Sequence, residues 1–171
     1  MHASSDPGNV GKGLQKEWQR MVLLALLLGI VAGLRTLTAP AAASWGVRAG
    51  LLSVTGTPLA FMGFKYTPIV LTILAIAELV GDKLPKTPSR KSPPQFTARV
   101  LSGGLVGATV GAASGAVLVG LMIGAIGAVA GTYGGAAMRS ALASAFGKDL
   151  PAALFEDTCA IVGSILAIIW L

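Results

Sequence analysis

Six ionisable side chains interrupt long apolar runs or stand at their ends: Arg35, Glu78, Asp82, Arg139, Glu156 and Asp157. A charge at the centre of a bilayer costs at least about 2.5 to 3.5 kcal/mol even on insertion scales, so each one needs a partner, water or a task. Glu78 and Asp82 are four residues apart and share one face of a helix. Arg139 continues the column Gly127, Gly131, Gly135, which directs its guanidinium to a closely packed face and away from lipid. Glu156 and Asp157 fall one turn into the last apolar run. On these spacings four acids and Arg139 converge at one depth, whereas Arg35, after the apolar run Met21 to Leu34, stands apart. Carboxylates so placed bind a cation or carry protons, and an arginine beside them holds one ionised or meets an anionic group. The plainer alternative is an ion-pair staple between helices, with long side chains reaching the headgroups.

Other chemistry finds few residues. His2 is the one histidine and Cys159 the one cysteine, so no intrachain disulfide and no metal site at ligand spacing is expected, and no cofactor is implied. No Ser/His or Cys/His arrangement and no Gly-rich loop ending in Lys-Ser/Thr occurs, so an enzyme is not expected. The net charge of +6 comes from basic residues in polar segments without interleaved aromatics, which argues for topology signals and against nucleic acid.

The elements that must position these charges are membrane helices. A mean hydropathy of +0.76 and 54% apolar residues exceed what a water-soluble surface tolerates. The sequence predicts an all-α polytopic transmembrane helix bundle of about five spans with one interfacial or re-entrant segment. Residues 1–20 form a disordered tail, placed in the cytoplasm by its basic flank, and residues 21–171 form a single transmembrane domain. The run from Met21 also resembles a signal-peptide core ahead of "APAAAS", but Arg35 and the later spans favour a retained helix. That first span runs to about Ala43, with Pro40 kinking or ending it, and Gly46 to Lys65 is read as interfacial or re-entrant.

The second span, Tyr66 to about Leu84, leads into a basic, proline-rich loop at 83–97. Lys83, Lys86, Arg90 and Lys91 are candidate contacts to anionic lipid headgroups. Two crossings would put this loop on the same side as the tail. The roughly 50 apolar residues that follow exceed one crossing at about 1.5 Å each, so they fold as a hairpin turning near Ser114 to Val119. A last span follows "GKDLP".

Glycines at Gly103, Gly107, Gly111 and Gly115, and again at Gly127, Gly131 and Gly135, recur every four residues and build flat stripes for close helix packing. "GIVAG" at Gly29 to Gly33 returns as "GAVAG" at Gly127 to Gly131, each followed by an arginine. On five spans the two copies cross in opposite directions, as in transporters with inverted repeats.

Four stretches carry a likeness beyond composition: "GLRTLTAPA" from Gly33, "ELVGDKLPKTPSR" from Glu78, "GAVAGTYGGAAMR" from Gly127 and "EDTCAI" from Glu156. In these the chain resembles the small bacterial membrane proteins grouped as domain of unknown function 4126, over nearly everything after the tail. Gly81 stands where that family would carry alanine, a small-for-small change. The resemblance implies an integral protein of the bacterial cytoplasmic membrane and assigns no activity and no catalytic residue. The leading expectation is a small transporter or channel, acting as a homo-oligomer in the lipid bilayer. The other is a structural or lipid-organising membrane factor without transport activity.

Overall fold

The computed structural model describes residues 7–82 and 92–170. In chain order it holds α1 (Pro7–Leu34), α2 (Thr38–Arg48), a 3-10 turn (Pro58–Gly63), α3 (Thr67–Gly81), α4 (Pro93–Ala113), α5 (Val117–Phe146) and α6 (Asp149–Ile169). No strand occurs among the described residues. Four stretches, Gly11–Leu34, Pro93–Ala113, Val117–Phe146 and Asp149–Ile169, are long and apolar enough to cross a membrane, and α3 is a shorter apolar helix. The fold is a helical bundle whose outward apolar faces would contact lipid.

Two landmarks orient it. At one end the Arg20 guanidinium donates to the Trp170 carbonyl (2.6 Å) and lies over the Trp170 ring. At the other, Arg35 meets Asp157. α1 and α6 are therefore antiparallel, with Gly163 against Val31 between those points. The first will be called the tail end and the second the loop end, because Asp82, which also pairs with Arg35, leads into the basic loop. Trp18, Trp45 and Trp170 are all exposed toward the tail end, as suits a headgroup boundary.

Backbone approach sets the middle of the bundle. A Cβ placed on Gly107 would collide with the Gly120 carbonyl, one on Gly103 with Gly124, and one on Gly111 with Ala116, so α4 and α5 pack as an antiparallel hairpin. A second seam joins α5 to α1, where Gly127 and Gly131 lie on Leu26 and Ile30, and Gly29 lies on Gly124. Gly135 is buried on the same helix. Gly115 is not part of a stripe: its φ of +69° closes the α4–α5 turn, a conformation that favours glycine.

Several expectations change. The tail is helical from Pro7, because α1 simply continues outward from its packed part. The first span does not reach Ala43; it breaks at Arg35 to Leu37, and Pro40 lies in the first turn of a new helix, where its missing N–H costs nothing. α2 then runs back toward the tail end, with Gly46 against Ile168 and with Gly50 to Ser53 lining one cavity with Glu17, Arg20 and Met21. Three helices, α1, α2 and α3, lie between the tail and Asp82 where two crossings were expected, and the tail and Asp82 stand at opposite ends of the bundle. The "GIVAG" and "GAVAG" segments pack on each other in parallel, Gly29 near Gly124 and Gly33 near Ala128 and Gly131. They are not an inverted repeat.

Candidate functional site

The charged residues gather around the α1–α2 break. α1 ends at Leu34 and α2 starts at Thr38, so this tight reversal leaves carbonyls on one helix end and amides on the next without helical partners. Side chains from three other helices satisfy them. The Arg99 guanidinium of α4, 1% exposed, donates to the carbonyls of Gly33 (2.7 Å) and Leu34 (2.5 Å). The Glu78 carboxylate of α3 accepts from the amides of Thr36 (2.7 Å) and Leu37 (2.8 Å). The Ser102 hydroxyl donates to the Thr36 carbonyl, and the Thr132 hydroxyl lies 3.3 Å from the Gly33 carbonyl. A cation thus sits at the carbonyl end of α1 and an anion at the amide end of α2, each of the sign the helix dipole favours.

Arg35 occupies the turn itself. It is 0% exposed and bridges two helices, one terminal nitrogen meeting Asp82 at the end of α3 and the other Asp157 of α6. Three segments of chain distant in sequence are held by this one guanidinium. The depth follows from α5: Thr132 is level with the break, and Arg139 lies seven residues further on, about 10 Å at the helical rise. Arg139 forms a bidentate pair with Asp149 (2.9 and 2.6 Å), and its third nitrogen is 3.7 Å from the fully buried Glu156. The site therefore has two tiers, an inner one at Arg35 and an outer one at Arg139.

Of the residues singled out in sequence, Glu78, Asp82, Arg139, Glu156, Asp157 and Arg35 all lie at the loop end, but their roles differ from expectation. Arg35 is the hub and no outlier, because the chain reverses there where a continued helix would have carried it on. Glu78 binds backbone amides, and Arg139 meets Asp149 and Glu156. Lys83, Lys86, Arg90 and Lys91 lie outside the described residues. Arg99 and Asp149 were missed. Arg99 follows the basic loop closely in sequence, yet it continues the column Gly103, Gly107, Gly111 as Arg139 continues its own, and that spacing is the available signal. Asp149 carried none, since it looks like an ordinary acid in a helix's first turn. Among the described residues no group of His, Cys, Asp and Glu is arranged to hold a metal ion.

No family model, no curated protein and no solved structure matches this chain.

Proposed function

We propose that this protein is a small transporter or channel for a cation or proton, with the Arg35, Asp82 and Asp157 cluster as its working site. The observation that carries the reading is a helix broken inside the bundle with a fully buried arginine shared by carboxylates from two different helices. Interrupted helices place half-helix ends and ionisable groups near the path of a solute in membrane transporters. Intramembrane ionisable residues are costly and tend to mark such paths. Two carboxylates on one guanidinium can exchange partners: a cation or proton arriving at Asp157 leaves Arg35 with Asp82, and its departure restores the bridge. Ser164, 2% exposed and two turns from Asp157 on the same face of α6, adds a hydroxyl along that face. The motif resemblance supplies the setting of this proposal, the bacterial cytoplasmic membrane, and lateral assembly into a homo-oligomer would help short helices enclose a path.

Flux through purified protein in proteoliposomes tests it, with protons and monovalent cations as cargo. Wild-type protein should pass at least one of them, and Asp157→Asn, which keeps the Arg35 to Asp82 pair, should abolish that flux while remaining folded. Folded wild-type protein that conducts no more than empty vesicles across the panel refutes the proposal.

The second reading, a structural or lipid-organising factor, is favoured by one observation: Arg99 and Glu78 satisfy backbone ends in a closed arrangement. On that reading Asp157→Asn lowers stability and there is no flux to change. Anionic vesicles should then bind the protein through Lys83, Lys86, Arg90 and Lys91.

A further inference from the structure

The placement of α2 redistributes the positive charge of this protein between its two ends. At the tail end stand Lys12, Lys16 and Arg20 on α1, Arg48 at the end of α2, and Lys65 just before α3. At the loop end the sequence between Asp82 and Ser92 contains Lys83, Lys86, Arg90 and Lys91, and Lys148 precedes α6. That is five against five. Arg35 and Arg99 are buried in the bundle and held by it, so neither faces the water on either side. Counting Arg139, which is paired with Asp149, changes the balance only to six against five.

Orientation in the membrane follows the excess of Lys and Arg in short connections and near span ends, whereas acids contribute little. The described ones lie in short connections or close to a helix end, and Lys83, Lys86, Arg90 and Lys91 fall in the short stretch of sequence between α3 and α4, where the rule applies. Had the chain crossed twice before its basic loop, tail and loop would have shared one side, with a decisive bias. With the reversal at Arg35 to Leu37 the bias vanishes. We infer that this protein inserts in both orientations, so that oppositely directed copies share one membrane. The inference rests on charge placement and helix direction, and it stands whether or not the protein transports anything.

Single-cysteine forms of the full chain test it, built on Cys159→Ala with Ser53→Cys reporting the tail end or Ser144→Cys the loop end; both serines are exposed. Intact cells are treated with a membrane-impermeant maleimide, then permeabilised and treated again. Each form should be labelled to about half in intact cells and fully after permeabilisation, because neither end has a charge excess. Labelling of one form alone in intact cells overturns the inference. A second measurement moves the balance: Arg48→Gln with Lys65→Gln removes two tail-end charges, which should drive that end outward. Ser53→Cys labelling in intact cells should then rise toward completion and Ser144→Cys labelling should fall. Unchanged labelling in that background would show that charge balance does not set the orientation.

Discussion

Glu78→Gln isolates the cap that an acidic side chain places on the first amides of α2. Wild-type Glu78 receives two hydrogen bonds, from Thr36 at 2.7 Å and Leu37 at 2.8 Å. Glutamine has nearly the same shape but only one acceptor oxygen, so its NH2 group would face one of those amides donor to donor. Losing a charge-assisted hydrogen bond costs about 1.5–3 kcal/mol. Removing the anion from the amide end of a helix costs about 0.3–1 kcal/mol more. The expected loss is therefore about 2–4 kcal/mol, or roughly 5–15 °C in melting temperature for a chain of this size. Tryptophan fluorescence during unfolding in mild detergent reads it, since the Trp45 indole on α2 donates to Thr72 on α3 and reports their separation. Glu78→Asp keeps the charge on a shorter stem and should lose less. A Glu78→Gln protein that melts with the wild type, or an aspartate variant less stable than the glutamine one, refutes the capping account.

Two further outcomes follow from packing and exposure. Gly107→Ala would press a methyl group into the Gly120 carbonyl and should destabilise by about 1–3 kcal/mol through overpacking. Gly134→Ala meets nothing within 4 Å and should be neutral or stabilising by up to about 1 kcal/mol; paired melting curves check both. Asp149→Asn removes the bidentate pair with Arg139 at a side chain that is 63% exposed, and leaves Arg139 beside Glu156. It should cost less than about 1 kcal/mol for that pair, with the difference from wild type shrinking as salt is added, which denaturant titration at two ionic strengths reads.

Membrane insertion, helix content and the α4–α5 hairpin were legible because they depend on local properties. Apolar run length sets the number of long helices, and the pair Ser114 and Gly115 closes a turn within the expected window. The glycine columns also pointed to close backbone approach, since a four-residue period marks one helix face. The charged site was legible in membership but not in connectivity. Its residues stand out because charge is rare in apolar runs, yet nothing in the spacing of Glu78 says that it will meet the amides of Thr36 and Leu37, some forty residues earlier. Arg99 hid among the basic residues beside it.

What the sequence determined by itself is that this chain belongs in a bilayer, as helices that pack through glycine and carry a few internal charges. Its apolar content, run lengths and four-residue periods are properties of the chain before it folds. Only the tertiary structure decided that α1 stops at Leu34 and that α2 turns back. A reversal at Arg35 to Leu37 exposes backbone groups that no local segment can satisfy. It persists because Arg99 from α4, Ser102 beside it and Glu78 from α3 arrive together, while Asp157 of α6 and Asp82 hold Arg35. Those partners come from distant parts of the sequence, and their meeting sets both the candidate site and the balance of charge between the two ends.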